Sequence, residues 1–232
     1  MSETLSHSFS TARRTLCASS LLSLLAAAIF ALPGATSALV YVNGASISDL
    51  WRFVASHWVH WSLEHLVWSA GAFLVLGIVC ERRSRCRFLV TTLAAAVAIP
   101  IALRIFQPDL QYYGGLSGID SALFGLICAQ DLRTHGRNQC TQKGGQSRLR
   151  SCLASLGTVP VFALPIALLV GFLAKIGYEF FTGAALFVSH TDMMIPVPLA
   201  HLVGIAVGIL FGLDLHRIVF WEKDAFRVPF PI

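Results

Sequence analysis

Six long apolar stretches, separated by short segments that hold most of the charges, limit what this chain can fold into more than any other feature. They run approximately over residues 16–40, 63–80, 88–106, 116–129, 153–174 and 197–215. Most approach the roughly 20 residues that an α-helix needs to cross a bilayer. Only 12% of the 232 residues are charged, against about 25% in soluble domains. The sequence therefore predicts an all-α, polytopic membrane protein with a bundle of six transmembrane helices.

The basic residues are distributed unevenly between the segments that join these stretches. With the N-terminus in the cytoplasm, 14 of the 17 lysines and arginines lie on the cytoplasmic side, and Arg52, Arg104 and Lys175 lie on the other. By the positive-inside rule, this bias predicts that both termini are cytoplasmic. The expected parts are an N-terminal tail (1–14), a membrane domain (15–216) with a cytoplasmic loop at about 131–151, and a C-terminal tail (217–232).

The first stretch allows two interpretations. Arg13, Arg14, the apolar run and the small residues up to Ala38 resemble a signal peptide with a cleavage site. The run is longer than the apolar region of about 7–15 residues in such peptides, which favours a retained helix. Both interpretations leave the later topology unchanged, and the question of whether residues 1–38 are cleaved stays open.

Several classes of protein and of site are disfavoured. The net charge of +5 is spread over short, separate loops, which indicates membrane topology rather than a nucleic-acid-binding surface. The six cysteines lie in the cytoplasmic half or loops and include no Cys-x-x-Cys pair, so neither a disulfide framework nor a metal site is expected. We expect no cofactor, and the sequence does not indicate the oligomeric state.

The fourth stretch begins with a serine motif, Gly115-Leu116-Ser117-Gly118. A serine at a helix N-terminus lies near unpaired N–H groups and the positive end of the helix dipole, which suit a nucleophile with an oxyanion site. In isolation, a serine that merely caps the helix is the commoner case.

The sixth stretch carries His201, followed by glycines at positions 204, 208 and 212. These positions share one helix face, and small residues on such a face permit close packing against another helix. His201 is therefore expected to face a partner helix rather than lipid, and a histidine there suits a general base. A structural histidine bonded to a backbone carbonyl is the alternative.

The second stretch holds two further polar side chains on one face, His65 and Ser69, which are four residues apart. A neutral imidazole and a hydroxyl there suit donation to a developing oxyanion, alongside the Ser117 N–H. Polar groups inside a membrane are costly, so their concentration in the outer half of the predicted bundle indicates a functional site.

From about Trp51 to Gly212, the order of these motifs resembles the rhomboid family of intramembrane serine proteases. The matching motifs are Trp51-Arg52, His60 with His65, Glu81-Arg82, Gly115-Leu116-Ser117-Gly118, and Ala200-His201 with Gly204 and Gly208. The resemblance implies a Ser117–His201 dyad without an acidic third member, and an oxyanion site made by His65 and the Ser117 N–H, with His60 in support. Ser69 stands where most rhomboids have asparagine, and Ser121 where many have a tyrosine that stacks on the catalytic histidine.

The resemblance implies hydrolysis of a peptide bond in or near the transmembrane segment of membrane-anchored proteins. It places the protein in a bacterial inner membrane, with the active site opening to the outer side. The compact chain is similar to the rhombosortases, relatives thought to process proteins with a C-terminal Gly-Gly-type anchor. The alternative is a non-catalytic rhomboid relative that binds membrane clients. A transporter is disfavoured because the polar groups lie only in the outer half and no internal repeat is found.

Overall fold

The computed structural model describes residues 17–44, 46–142, 163–182 and 197–213, and these are mostly helical. The α-helices are α1 (Ala18–Ala31), α2 (Ala35–Leu39), α3 (Arg52–Ala55), α4 (Leu63–Arg83), α5 (Arg85–Phe106), α6 (Ser117–Gln142), α7 (Ala163–Thr182) and α8 (Pro198–Gly212). Two short 3-10 helices (Ile47–Asp49 and Ser56–Trp58) and two strands, β1 (Tyr41–Val42) and β2 (Tyr112–Tyr113), lie between them. The predicted all-α fold is confirmed.

The six apolar stretches correspond to α1, α4, α5, α6, α7 and α8. In the described part of the chain, α4 and α5 are long and apolar enough to cross a membrane, and α1 and α8 are apolar but shorter. The predicted tails, the end of the predicted cytoplasmic loop and the first residues of the fifth stretch lie outside the described residues.

Two helix boundaries differ from those expected. The first stretch does not form one helix, because the chain turns at Pro33 and Gly34, where Gly34 has a φ of +78° that favours glycine. At the other boundary, α6 continues past the apolar stretch to Gln142. A helix satisfies its own backbone groups, so it can extend from lipid into water when its side chains become polar. Arg83 pairs there with Asp131, with 2.7 Å between Nη1 and Oδ1.

A half-buried carboxylate near the end of α4 holds α1 in place. Glu81 accepts hydrogen bonds from the backbone N–H groups of Ala18 (2.9 Å) and Ser19 (3.1 Å) and from the Ser19 hydroxyl (3.0 Å). These amides belong to the first turn of α1, whose N–H groups have no acceptor within the helix. Further along, the Trp58 indole donates to the Leu22 carbonyl at 3.1 Å. Hydrogen bonds at two depths therefore attach α1 to the rest of the bundle.

At the opposite end of α4, the two strands connect the segment after α1 to the start of α6. β1 and β2 pair antiparallel, with Tyr41 opposite Tyr113. The N–H of Asn43 continues the ladder by donating to the Gln111 carbonyl at 2.9 Å. This small sheet positions the Gly114–Gly115 turn that leads into α6.

The backbones of α6 and α8 touch, because glycines leave no side chains between them. A Cβ added to Gly204 would collide with the Gly118 carbonyl, and one added to Gly208 would collide with the Ala122 carbonyl. On the α6 side, a Cβ on Gly125 would lie 2.7 Å from the Ile205 carbonyl oxygen. The predicted glycine face is confirmed, and its partner is the helix that begins at Ser117.

The contact predicts the effect of one added methyl group. Gly208→Ala should lower the apparent melting temperature in detergent, because overpacking a close helix contact costs about 1–3 kcal/mol. Gly71→Ala on α4 is the matched control, since its Cβ would meet nothing within 4 Å; relieving the glycine penalty should leave its stability unchanged or raised. Equal melting temperatures for the two variants would contradict the packing described.

Candidate active site

Ser117 is the first residue of α6 and follows a turn at Gly115, whose φ of +123° is one that L side chains rarely adopt. The N–H of Gly115 donates to the Ser56 carbonyl at 3.2 Å, which holds the turn against the chain before α4. The first N–H groups of a helix have no intrahelical acceptor. A half-buried hydroxyl and backbone donors therefore occur together at the start of α6.

The missing side chain of Gly115 makes room for His65. A Cβ on Gly115 would lie 2.9 Å from Nε2 of His65 and 4.0 Å from Oγ of Ser117. The Ser62 hydroxyl caps α4 by accepting from the His65 N–H at 3.1 Å, which fixes His65 in the first turn of that helix. The His60 ring stands edge-on to His65, with 4.9 Å between centroids. The structure thus brings His60, His65, Gly115 and Ser117 together.

His201 reaches α6 through Ser121. The Ser121 hydroxyl donates to the Ser117 carbonyl at 2.8 Å, and its oxygen lies 3.0 Å from Nδ1 of His201. Because that hydroxyl has a single proton, which is already donated, Nδ1–H of His201 must be the donor in the second bond. A neutral imidazole with its proton on Nδ1 carries a free lone pair on Nε2. This is the tautomer that a general base requires.

Ser69 lies against an acidic residue that the sequence analysis did not single out. Its Oγ is 3.4 Å from Oδ2 of Asp120, and both side chains are buried. Asp120 follows Ser117 by one helical turn. The sequence did contain a signal for Asp120, because an acidic residue inside an apolar stretch is costly and this one lies three positions after the candidate nucleophile.

A family model described as the rhomboid domain matches residues 47–218, which include every residue of this site. The chain belongs to the rhomboid family. Rhomboids are membrane-embedded and are generally intramembrane serine proteases. A comparison with curated proteins finds no match.

An aromatic contact on His201 comes from a helix that the rhomboid motifs do not include. The Phe172 ring on α7 stands edge-on to the His201 imidazole, with 6.2 Å between centroids, and contacts Phe124 of α6 at 5.3 Å. Phe172 therefore supplies an aromatic contact where a tyrosine at position 121 would do so in many rhomboids. One turn further, Lys175 pairs with Glu179 at 2.6 Å between Nζ and Oε1. No local pattern in the sequence marks Phe172, because its contact with His201 forms only when α7 packs against the other helices.

His57 compensates for a proline inside α5. Pro100 has no N–H, so the Ala96 carbonyl lacks its usual partner four residues later. Nε2 of His57 lies 3.1 Å from that carbonyl oxygen, and Nδ1 lies 3.4 Å from the Gly115 carbonyl oxygen. Burial lowers the pKa of His57 to about 4, so the ring is neutral and donates from one nitrogen. The shorter contact assigns that proton to Nε2.

This arrangement predicts an energetic coupling between His57 and Pro100. His57→Leu should destabilise the rhomboid by about 1–3 kcal/mol, because it leaves a buried carbonyl unpaired. In a Pro100→Ala background, the new N–H at position 100 can donate to the Ala96 carbonyl. In that background, His57→Leu should therefore lower the free energy of unfolding by about 1 kcal/mol less than it does in the wild type. The measurement is denaturant unfolding of the four proteins in mixed micelles. An identical loss in both backgrounds would show that His57 does not replace the missing donor.

Proposed function

We propose that this rhomboid is an intramembrane serine protease that hydrolyses a peptide bond in or near the transmembrane segment of membrane-anchored proteins. Ser117 is the nucleophile and His201 is the general base. The observation that carries the proposal is the pair of hydrogen bonds through Ser121. They attach the imidazole to the turn that starts at Ser117 and leave Nε2 able to accept a proton.

The dyad works without a carboxylate behind the histidine. In the usual triad an acidic residue holds the imidazole tautomer and orientation. Here the Ser121 hydroxyl accepts from Nδ1–H at 3.0 Å, and Phe172 limits rotation of the ring from the α7 side. Ser117 Oγ attacks the scissile carbonyl while Nε2 of His201 takes its proton, and the imidazolium then returns that proton to the leaving amine.

The oxyanion forms beside Gly115. The groups proposed as donors there are the Ser117 N–H at the start of α6 and the His65 imidazole, whose Nε2 faces Gly115, with Ser69 one turn further along α4. Prealigned donors of this kind account for factors of about 10²–10³ in kcat each. Water then hydrolyses the acyl-enzyme, with His201 acting as base for the second time. Membership of the rhomboid family leads us to expect a small residue at the cleavage position.

For the cellular setting, we infer a bacterial inner membrane with both termini in the cytoplasm and the site near the outer surface. The arginines at the α4–α5 turn lie at the far end of α4 from His65, which supports this orientation by the positive-inside rule. Among rhomboid substrates, we propose the class processed by the rhombosortases, proteins with a C-terminal Gly-Gly-type anchor.

The test is cleavage of a single-span model substrate in proteoliposomes by wild type and four variants. Ser117→Ala and His201→Ala should reduce cleavage to the uncatalysed background, because each removes one half of the dyad. Ser121→Ala keeps both members and should lose about 10-fold in kcat, the equivalent of one hydrogen bond of roughly 1.4 kcal/mol. Ser23→Ala removes a hydroxyl that donates to the Ala70 carbonyl on another part of the bundle and should retain full activity.

The outcomes separate the protease from a non-catalytic relative. Cleavage that is undiminished in Ser117→Ala would refute the proposed nucleophile. Binding of the substrate by every variant without cleavage by wild type would instead support the client-binding alternative.

A further inference from the structure

One face of α7 is turned into the bundle, and this face carries two charged side chains. Its buried and half-buried members recur at the spacing of neighbours on a helix and are Phe172, Lys175, Ile176 and Glu179. Leu173 and Tyr178, which lie between them along the chain, are exposed. Glu179 is 3% exposed, and its Oε1 lies 2.6 Å from Nζ of Lys175. An ion pair therefore lies on the inner side of α7.

The stability of the helix does not account for this pair. A lysine four residues before a glutamate is the less favourable order of such a pair on a helix. Removing two charges from water is costly, and apolar residues in place of a buried ion pair often leave stability unchanged or raised. Ionisable residues that face the interior of a membrane bundle mark functional sites. The neighbours of Lys175 and Glu179 therefore indicate what the pair does.

The pair lies beside the aromatic ring that contacts the general base. Nζ of Lys175 is 6.0 Å from the centroid of the Phe172 ring, within the range of cation–π attraction. The Phe172 ring meets the His201 imidazole with 6.2 Å between centroids and 88° between the ring planes. Both charges of the pair also interact electrostatically with His201. A series of contacts thus runs from Glu179 through Lys175 and Phe172 to His201.

Each contact in this series restricts the next side chain. Lysine has a flexible stem of four carbons, and the Glu179 carboxylate holds the Lys175 ammonium group in one place. The ammonium group in turn attracts the face of the Phe172 ring, which Phe124 of α6 also contacts at 5.3 Å. A ring fixed in this way restricts the rotation of His201, in addition to the hydrogen bond between its Nδ1 and Ser121.

We propose that Lys175 and Glu179 are positioning residues that hold Phe172 against the His201 imidazole, so that α7 helps to orient the general base. The three residues supply from a neighbouring helix the aromatic contact that a tyrosine at position 121 supplies in many rhomboids. This proposal rests on the proposed protease function and extends it to a helix outside the dyad.

The experiment measures kcat and KM for the single-span model substrate in proteoliposomes. The variants are Phe172→Leu, Lys175→Met, Glu179→Gln and the double variant Phe172→Leu/Lys175→Met. Phe172→Leu should lose about 10-fold in kcat, and the two charge variants about 5-fold each, with KM unchanged. The double variant should be no slower than Phe172→Leu, because Lys175 acts through the ring that this variant lacks.

Two further variants separate positioning from a merely structural role. Lys175→Arg keeps the cation and should keep kcat within about 2-fold of wild type. Lys175→Met/Glu179→Leu removes both charges, so its melting temperature should equal or exceed that of wild type, while its kcat should fall about 5-fold. Phe181→Leu is the matched control for Phe172→Leu, since the Phe181 side chain is 86% exposed on the same helix, and it should keep the wild-type kcat and KM.

Three results would overturn the proposal. They are a wild-type kcat in folded Lys175→Met, losses that multiply in the double variant Phe172→Leu/Lys175→Met, and a loss that appears in KM instead of kcat. If the single charge variants do not fold, the charge-free variant Lys175→Met/Glu179→Leu decides, and a wild-type kcat there overturns the proposal.

The same assay distinguishes failure of this proposal from failure of the protease mechanism. Cleavage that persists in Ser117→Ala would remove the dyad and the positioning role together. An inactive Ser117→Ala, combined with a wild-type kcat in Lys175→Met, would leave the dyad intact and remove only the role of Lys175 and Glu179.

Discussion

The close approach of α6 and α8 is the contact on which the rest of the site depends. Ser117 and Ser121 lie on one of these helices and His201 on the other, so the proposed chemistry requires backbones near enough for short side chains to meet. Glycines at 204 and 208 allow α8 to lie directly on the carbonyls of Gly118 and Ala122. Dispersion and packing drive helix association in a membrane, because lipid and apolar side chains are equally hydrophobic.

A second constraint is that polar groups in such a bundle must find partners nearby. The structure meets this requirement with hydrogen bonds between neighbouring segments of the chain. Glu81 receives the unpaired amides that begin α1. His57 donates to the carbonyl that Pro100 leaves unpaired, and its other ring nitrogen faces Gly115. The carbonyl of the preceding residue, Ser56, accepts from the Gly115 N–H, so the segment that compensates for a proline in α5 also holds the turn before Ser117.

Much of this organisation follows from the sequence because it depends on local patterns. Apolar length predicts the helices, and glycine spacing predicts the close face of α8. The contacts of Asp120, Phe172 and His57 could not be predicted in the same way, since each depends on which helices become neighbours. The break after α1 and the long end of α6 were missed for another reason. Hydropathy marks where lipid contact ends, whereas a helix ends only where its backbone geometry changes.

The central claim is that Ser117 is an activated nucleophile rather than a helix cap, and covalent labelling tests it most directly. The purified protein would be treated with a fluorophosphonate, digested and mapped by mass spectrometry. We expect a single phosphonylated residue at Ser117, with labelling slowed strongly in His201→Ala because Nε2 no longer accepts the proton. Absence of the adduct from folded protein that cleaves substrate, or an adduct at another serine, would contradict the assignment.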